Sequence, residues 1–111
     1  MTMDDLIDED YLQSLGGRED EEIGLVLEDF LSGLPDSAHS LRQRLEAGER
    51  ERVREEAHAL KGSARMCGFA AIGNKAAELE EMAAGGQALP EGEQWSEDVV
   101  KLGEATQRAL R

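Results

Sequence analysis

Apolar residues recur at three- and four-residue steps along most of the chain, and strict alternation of apolar and polar residues occurs nowhere, so the pattern predicts helices and no strands. The spacing predicts a short first helix over about Asp4 to Ser14, with Leu6, Ile7, Tyr11, Leu12 and Leu15 on its apolar side. Thr2 and Asp5 have capping-box-like spacing before it, and Gly16-Gly17 ends it. A second helix starts near Glu19 with an acidic first turn that suits the positive end of the helix dipole. Its apolar stripe is Ile23, Val26, Leu27, Phe30, Leu34, Ala38, Leu41 and Leu45. Pro35 should kink this helix, or split it after Gly33, because proline lacks a backbone donor and clashes with the previous turn. The stripe continues on both sides of it, which favours one kinked helix ending near Ala47-Gly48.

A third helix from about Glu49 has Val53, Ala57, Leu60, Ala64 and Cys67 as its core face, with Gly68 as a left-handed cap. A fourth runs from about Phe69 to Ala84, with Phe69, Ile72, Ala76, Leu79 and Ala83 inward. The turn-rich stretch GGQALPEG leads to a last helix over about Glu93 to Leu110, with Trp95, Val99, Leu102, Thr106 and Ala109 or Leu110 inward. Four long amphipathic helices with short connections bury their stripes most simply as an all-α, antiparallel four-helix bundle. The first helix would cap one end, and residues 1–111 are expected to form a single domain, whose length and MTM start favour a complete protein.

One helix contains an anomaly. The stripe 53, 57, 60, 64, 67 passes through Gly62 without losing phase, so Gly62 is a mid-helix glycine that costs about 1 kcal/mol relative to alanine. It needs a packing or access reason. His58 lies one turn before it, with Arg54 at i−4, Lys61 at i+3 and Arg65 at i+7. These residues lie outside the core stripe or at its border, so an exposed imidazole stands among cations beside a patch without a side chain.

Charge narrows the partners. The chain has 25 Asp and Glu against 12 Lys and Arg, a formal net charge of -13. Such a surface repels phosphate backbones and anionic lipid, which argues against nucleic-acid or membrane binding. Seven of the twelve basic residues fall between Arg42 and Arg65, making a basic stripe and a candidate contact surface. The single cysteine, Cys67, excludes an internal disulfide framework and zinc spacing. No apolar run reaches the roughly 20 residues of a membrane span. The acidic N-terminus is neither a signal nor a transit peptide, so a soluble, cytoplasmic protein is expected.

Two chemistries could use His58. In phosphoryl transfer, its neutral ring is a nucleophile near neutral pH, and nearby Arg and Lys offset the charge of the phosphoryl group. No Walker-type or kinase glycine loop is present, so the phosphoryl group must come from another protein. In metal binding, Glu55-x-x-His58 and Asp36-x-x-His39 follow the pattern of di-iron carboxylate bundles. That site needs inward ligands, whereas the inward positions here hold Leu and Ala, and the cations around His58 would repel a metal. No metal site is expected. His39 reads as a surface histidine, Cys67 as core, Ser63 as bonding back to the backbone, and Met66 and Met82 as gap fillers, with Met66 bordering the docking face.

The stretch AHALKGSARMCGFAAIGNKAAELE, residues 57–80, resembles the signature of the histidine-containing phosphotransfer (HPt) domain family. Ala57, His58, Leu60, Lys61, Gly62 and Ser63 match its first block, and Gly68, Ile72, Ala76, Leu79 and Glu80 the rest. The preceding FLSGLPDSAHSLRQRLEAGE is similar to the family's second helix, and the resemblance covers roughly 5–84. Members often carry Gly-Asp where this chain has Gly48-Glu49, a difference at a helix start. The resemblance implies a bundle that shuttles a phosphoryl group between aspartates of response-regulator receiver domains. His58 would be phosphorylated, Lys61 would stabilise the phosphoryl group, and Gly62 would allow the partner to approach. Arg54 and Arg65 would belong to the docking face, with Arg65, at a variable position, setting partner preference. The implied partners are receiver domains and a hybrid histidine kinase. Mg²⁺ belongs to the receiver, so no cofactor is expected in this chain. The resulting expectation is a monomeric phosphoryl carrier without kinase activity of its own. The alternative is a helical docking module that is never phosphorylated, a role that would not need a nucleophile.

Overall fold

The computed structural model describes residues 6–111. They form five helices: α1 (Glu9–Ser14), α2 (Glu21–Glu46), α3 (Arg50–Met66), α4 (Ala70–Ala84) and α5 (Gly92–Leu110). None is long and apolar enough to cross a membrane. Short connections return α3 against α2 and α4 against α3, and α5 closes the ring by packing on both α2 and α4. The all-α bundle expected from the periodicity is therefore present, with the stripes of α2 to α5 forming its core.

In that core, Leu27, Leu34, Ala38 and Leu41 of α2 meet Val53, Ala57, Leu60 and Ala64 of α3, with Ile72, Ala76 and Leu79 of α4 and Trp95 and Val99 of α5. The rings of Phe30 and Phe69 pack tilted at 60° with centroids 5.5 Å apart, an arrangement that suits the aromatic quadrupoles. Thr106 is buried, and its hydroxyl donates to the Leu102 carbonyl at 2.7 Å, which satisfies it inside α5. Gly68 has φ +76° and ends α3 as expected, with the Phe69 N–H donating back to the Ala64 carbonyl at 2.9 Å.

The first helix differs from expectation. It begins at Glu9, not near Asp4, because Asp8 caps it by accepting from the Tyr11 N–H at 3.1 Å. The Thr2 and Asp5 capping spacing lies outside the described residues. Leu6 and Ile7 are buried, but ahead of the helix, in a segment held by the bundle: the Asp8 N–H donates to the Gly68 carbonyl at 2.8 Å. The Tyr11 hydroxyl donates to the Met66 carbonyl at 3.2 Å, and Arg18 to the Ala109 carbonyl at 3.0 Å. These bonds fix α1 over the end of the bundle where α3 turns into α4. Leu15, expected on the apolar side, is 37% exposed.

In α2, Asp20 is the cap and the helix starts two residues later than expected. Val26 is 55% exposed, since it and Leu27 are adjacent and only Leu27 turns inward. Pro35 neither splits nor ends the helix. It is exposed, so its ring lies on the solvent side of α2, away from the buried stripe. Met66, read as a gap filler, is 71% exposed.

Candidate functional site

Burial of Val53, Ala57, Leu60 and Ala64 sets the rotation of α3. That rotation turns His58 and Gly62, each one or two positions past an inward residue, toward solvent. The stripe of α4, through Ala76, Leu79 and Ala83, likewise leaves Glu80 at the seam between the two helices. There Oε2 of Glu80 lies 2.8 Å from Nδ1 of His58, and Oε1 lies 2.6 Å from Nζ of Lys61. The His58 side chain is 65% exposed, while Lys61 and Glu80 retain 23% and 17%. One carboxylate thus holds both candidate residues, with a different oxygen for each.

The electrostatics follow from this bridge. The hydrogen bond from Lys61 is the chief cause holding the Glu80 carboxyl below the usual carboxylate range; partial burial opposes it, and the bond to His58 adds to the lowering. An ionised Glu80 can only accept, so the neutral ring carries its proton on Nδ1 and leaves the lone pair on Nε2. Nε2 has no partner among the described residues. A Cβ placed on Gly62 would meet no atom within 4 Å, so the space beside the ring is open.

The basic stripe is less free than its composition suggests. Arg42 pairs with Glu46, and Arg44 with Glu49 and Glu56. Arg50 donates to the carbonyls of Met82, Ala83 and Gln87 at the end of α4. Arg54, expected on the docking face, is bound by Glu51. Arg65 is exposed, with its stem lying over Gly73 of α4. Beside the site, a groove of about 490 Å³ runs between α2 and α3, lined by Phe30, Gly33, Ser37, Ala59, Leu60 and Ser63. A larger groove of about 1170 Å³ between α4 and α5 includes none of His58, Lys61, Gly62 or Glu80.

Asp36, His39 and Glu55 are not gathered with His58: the described residues contain no cluster of three or more His, Cys, Asp or Glu side chains placed to hold a metal. Glu80 is the site residue that the sequence pattern left without a role. Its position just past inward Leu79 puts it at the stripe's border. Its pairing with His58 depends on the register of α3 against α4, which the periodicity of neither helix contains.

Comparison with curated proteins and with solved structures found no match. The family model for the Hpt domain matches residues 25–110, which takes in the last helix, beyond the reach of the signature, and starts inside α2. Hpt domains carry phosphoryl groups on histidine in phosphorelays, where they work with receiver domains and histidine kinases. The match spans most of the chain and includes the helix pair that holds His58 and Glu80, so the protein belongs to the Hpt domain family.

Proposed function

We propose that Nε2 of His58 accepts a phosphoryl group from the aspartyl phosphate of a receiver domain and passes it to the aspartate of another. The observation that carries this reading is the exposed ring whose Nδ1 is tied to Glu80, 2.8 Å away, while Nε2 is left open beside Gly62. In the forward step the Nε2 lone pair forms the N–P bond as the P–O bond to the receiver's aspartate breaks, and the aspartate leaves as a carboxylate. The Nδ1 proton stays in place, so the phosphorylated ring is cationic and its charge faces Glu80. No base is required. The return step reverses each of these changes.

Lys61 has three ammonium donors, of which one is committed to Glu80, so the others can reach a phosphoryl oxygen one turn from the ring. Gly62 leaves room for the partner's loops to reach in-line geometry, and transfer of this kind depends on positioning and charge stabilisation more than on covalent help. The reading keeps Mg²⁺ with the receiver and gives this chain the role of carrier, without kinase activity. The docking-only alternative leaves the Glu80–His58 pair without a purpose.

The test is transfer of labelled phosphate from a phosphorylated receiver domain. The label on this chain should be acid-labile and alkali-stable, and absent from His58→Gln. If His58→Gln accepts label as the wild type does, the assignment is wrong.

A further inference from the structure

Arg65 stands two turns beyond His58, about 10.5 Å along the axis of α3 at 1.5 Å per residue. A Cβ built on Gly73 would lie 3.0 Å from Arg65 Cγ, 3.5 Å from Nε and 3.8 Å from Cδ. Gly73 is buried and Arg65 exposed, so the arginine stem covers the glycine while the guanidinium stays at the surface. The helix register is the same at both levels: His58 meets Glu80, and Arg65, seven residues on, meets Gly73, seven residues back. The stem therefore runs across α4 rather than along α3 toward the ring.

The other cations on this face are engaged, Arg54 by Glu51 and Lys61 by Glu80. Arg65 makes no hydrogen bond or ion pair among the described residues, in a chain with 25 acidic and 12 basic residues. Arg52, also without a partner there, stands about 120° around α3 from His58. Arg65 is thus a cation held in a set place and left for an outside partner. Lying two turns away, the seated guanidinium is out of reach of a phosphoryl group on His58.

We infer that Arg65, seated on Gly73, binds a carboxylate of the receiver domain docked over His58 and selects which receivers this protein serves. The inference rests on the transfer reading above. A guanidinium fork matches a carboxylate with two parallel bonds, and a stem already laid on the helix surface loses less freedom on binding. A rim charge of this kind acts on encounter and affinity rather than on bond making.

The experiment uses the full chain and, from the receiver domains of its source genome, the one that transfers fastest. Single-turnover transfer is measured against receiver concentration for the wild type, Arg65→Ala, Gly73→Ala and the double variant. Arg65→Ala should raise the half-saturating concentration about tenfold, with the plateau rate within about twofold of wild type. Gly73→Ala should lift the stem, raise half-saturation by less, and add nothing once Arg65 is alanine. An unchanged half-saturation in Arg65→Ala overturns the inference while leaving the transfer reading intact. A fallen plateau at unchanged half-saturation also overturns it, because it places Arg65 on the reacting group. An effect of Gly73→Ala that persists without Arg65 removes the seat from the account. A wild-type chain that takes no label from any receiver overturns the transfer reading and this inference together.

Discussion

The Glu80 carboxylate lies 2.8 Å from Nδ1 of His58, and this one bond decides which nitrogen of the neutral ring keeps its lone pair. Without it, the neutral imidazole could carry its proton on either nitrogen, and each molecule protonated on Nε2 would be unable to attack. Glu80→Ala should therefore move the ¹⁵N spectrum of His58 from the Nδ1–H form toward a mixture. Transfer should slow by about one order of magnitude, with the fold intact. An unchanged tautomer in Glu80→Ala would mean that the ring is oriented by something else.

The same carboxyl links the site to stability. Its pKa is lowered, first by Lys61, so the folded chain binds this proton less readily than the unfolded chain does. A lowered carboxyl pKa stabilises fully above the unfolded value, about 4.3, and that contribution is lost as pH falls through the folded value. The gap in urea midpoint between wild type and Glu80→Gln should be flat above about pH 5 and narrow below about pH 4. It should also be small, since the bridge lies near the surface. A gap that widens on acidification would contradict the assigned direction.

Helices α2 to α5 were legible to within two residues because each buries a continuous stripe, as Val53, Ala57, Leu60 and Ala64 do in α3. The start of α1 was not, because Leu6 and Ile7 are buried without being helical, and burial alone does not separate the two cases. His58, Lys61 and Gly62 could be read as one surface because they share a helix. Glu80 could not be joined to them, since its partners are 22 and 19 positions away and only the packed register brings them together. The pairing of the basic stripe was hidden for a related reason: its charges are met by acids and carbonyls that approach mostly through turns and neighbouring helices, as with Arg44 and Arg50.

Two glycines inside helices should respond oppositely to the same change. At Gly62 a Cβ meets nothing within 4 Å, so Gly62→Ala should raise stability by about 0.5–1 kcal/mol through helix propensity. At Gly103 a Cβ would stand 2.6 Å from Leu34 Cδ2, at the buried contact of α5 with α2. Gly103→Ala should lower stability by about 1–3 kcal/mol, as overpacking does in a filled core. Urea denaturation of the pair checks this, and equal signs would refute it.

Gly62→Leu separates access from folding. The side chain would project into open space beside His58, so the helix should melt no earlier than wild type while transfer from the receiver collapses. Transfer at the wild-type rate would show that the partner reaches the ring from another side and that the glycine has some other cause.

Cys67 supplies a probe of the end of the bundle on which α1 sits. The thiol is 4% exposed, and burial pushes its pKa up, so both access and thiolate fraction are low in the folded chain. Native protein should react with a thiol reagent only through opening, at a rate that rises with urea in step with the local loss of structure. Tyr11→Phe removes the hydroxyl that donates to the Met66 carbonyl, one residue before Cys67, and should speed that reaction several-fold without changing transfer on His58. If labelling is already fast in native wild type, this end of α3 is open in solution and the bonds from α1 do not hold it.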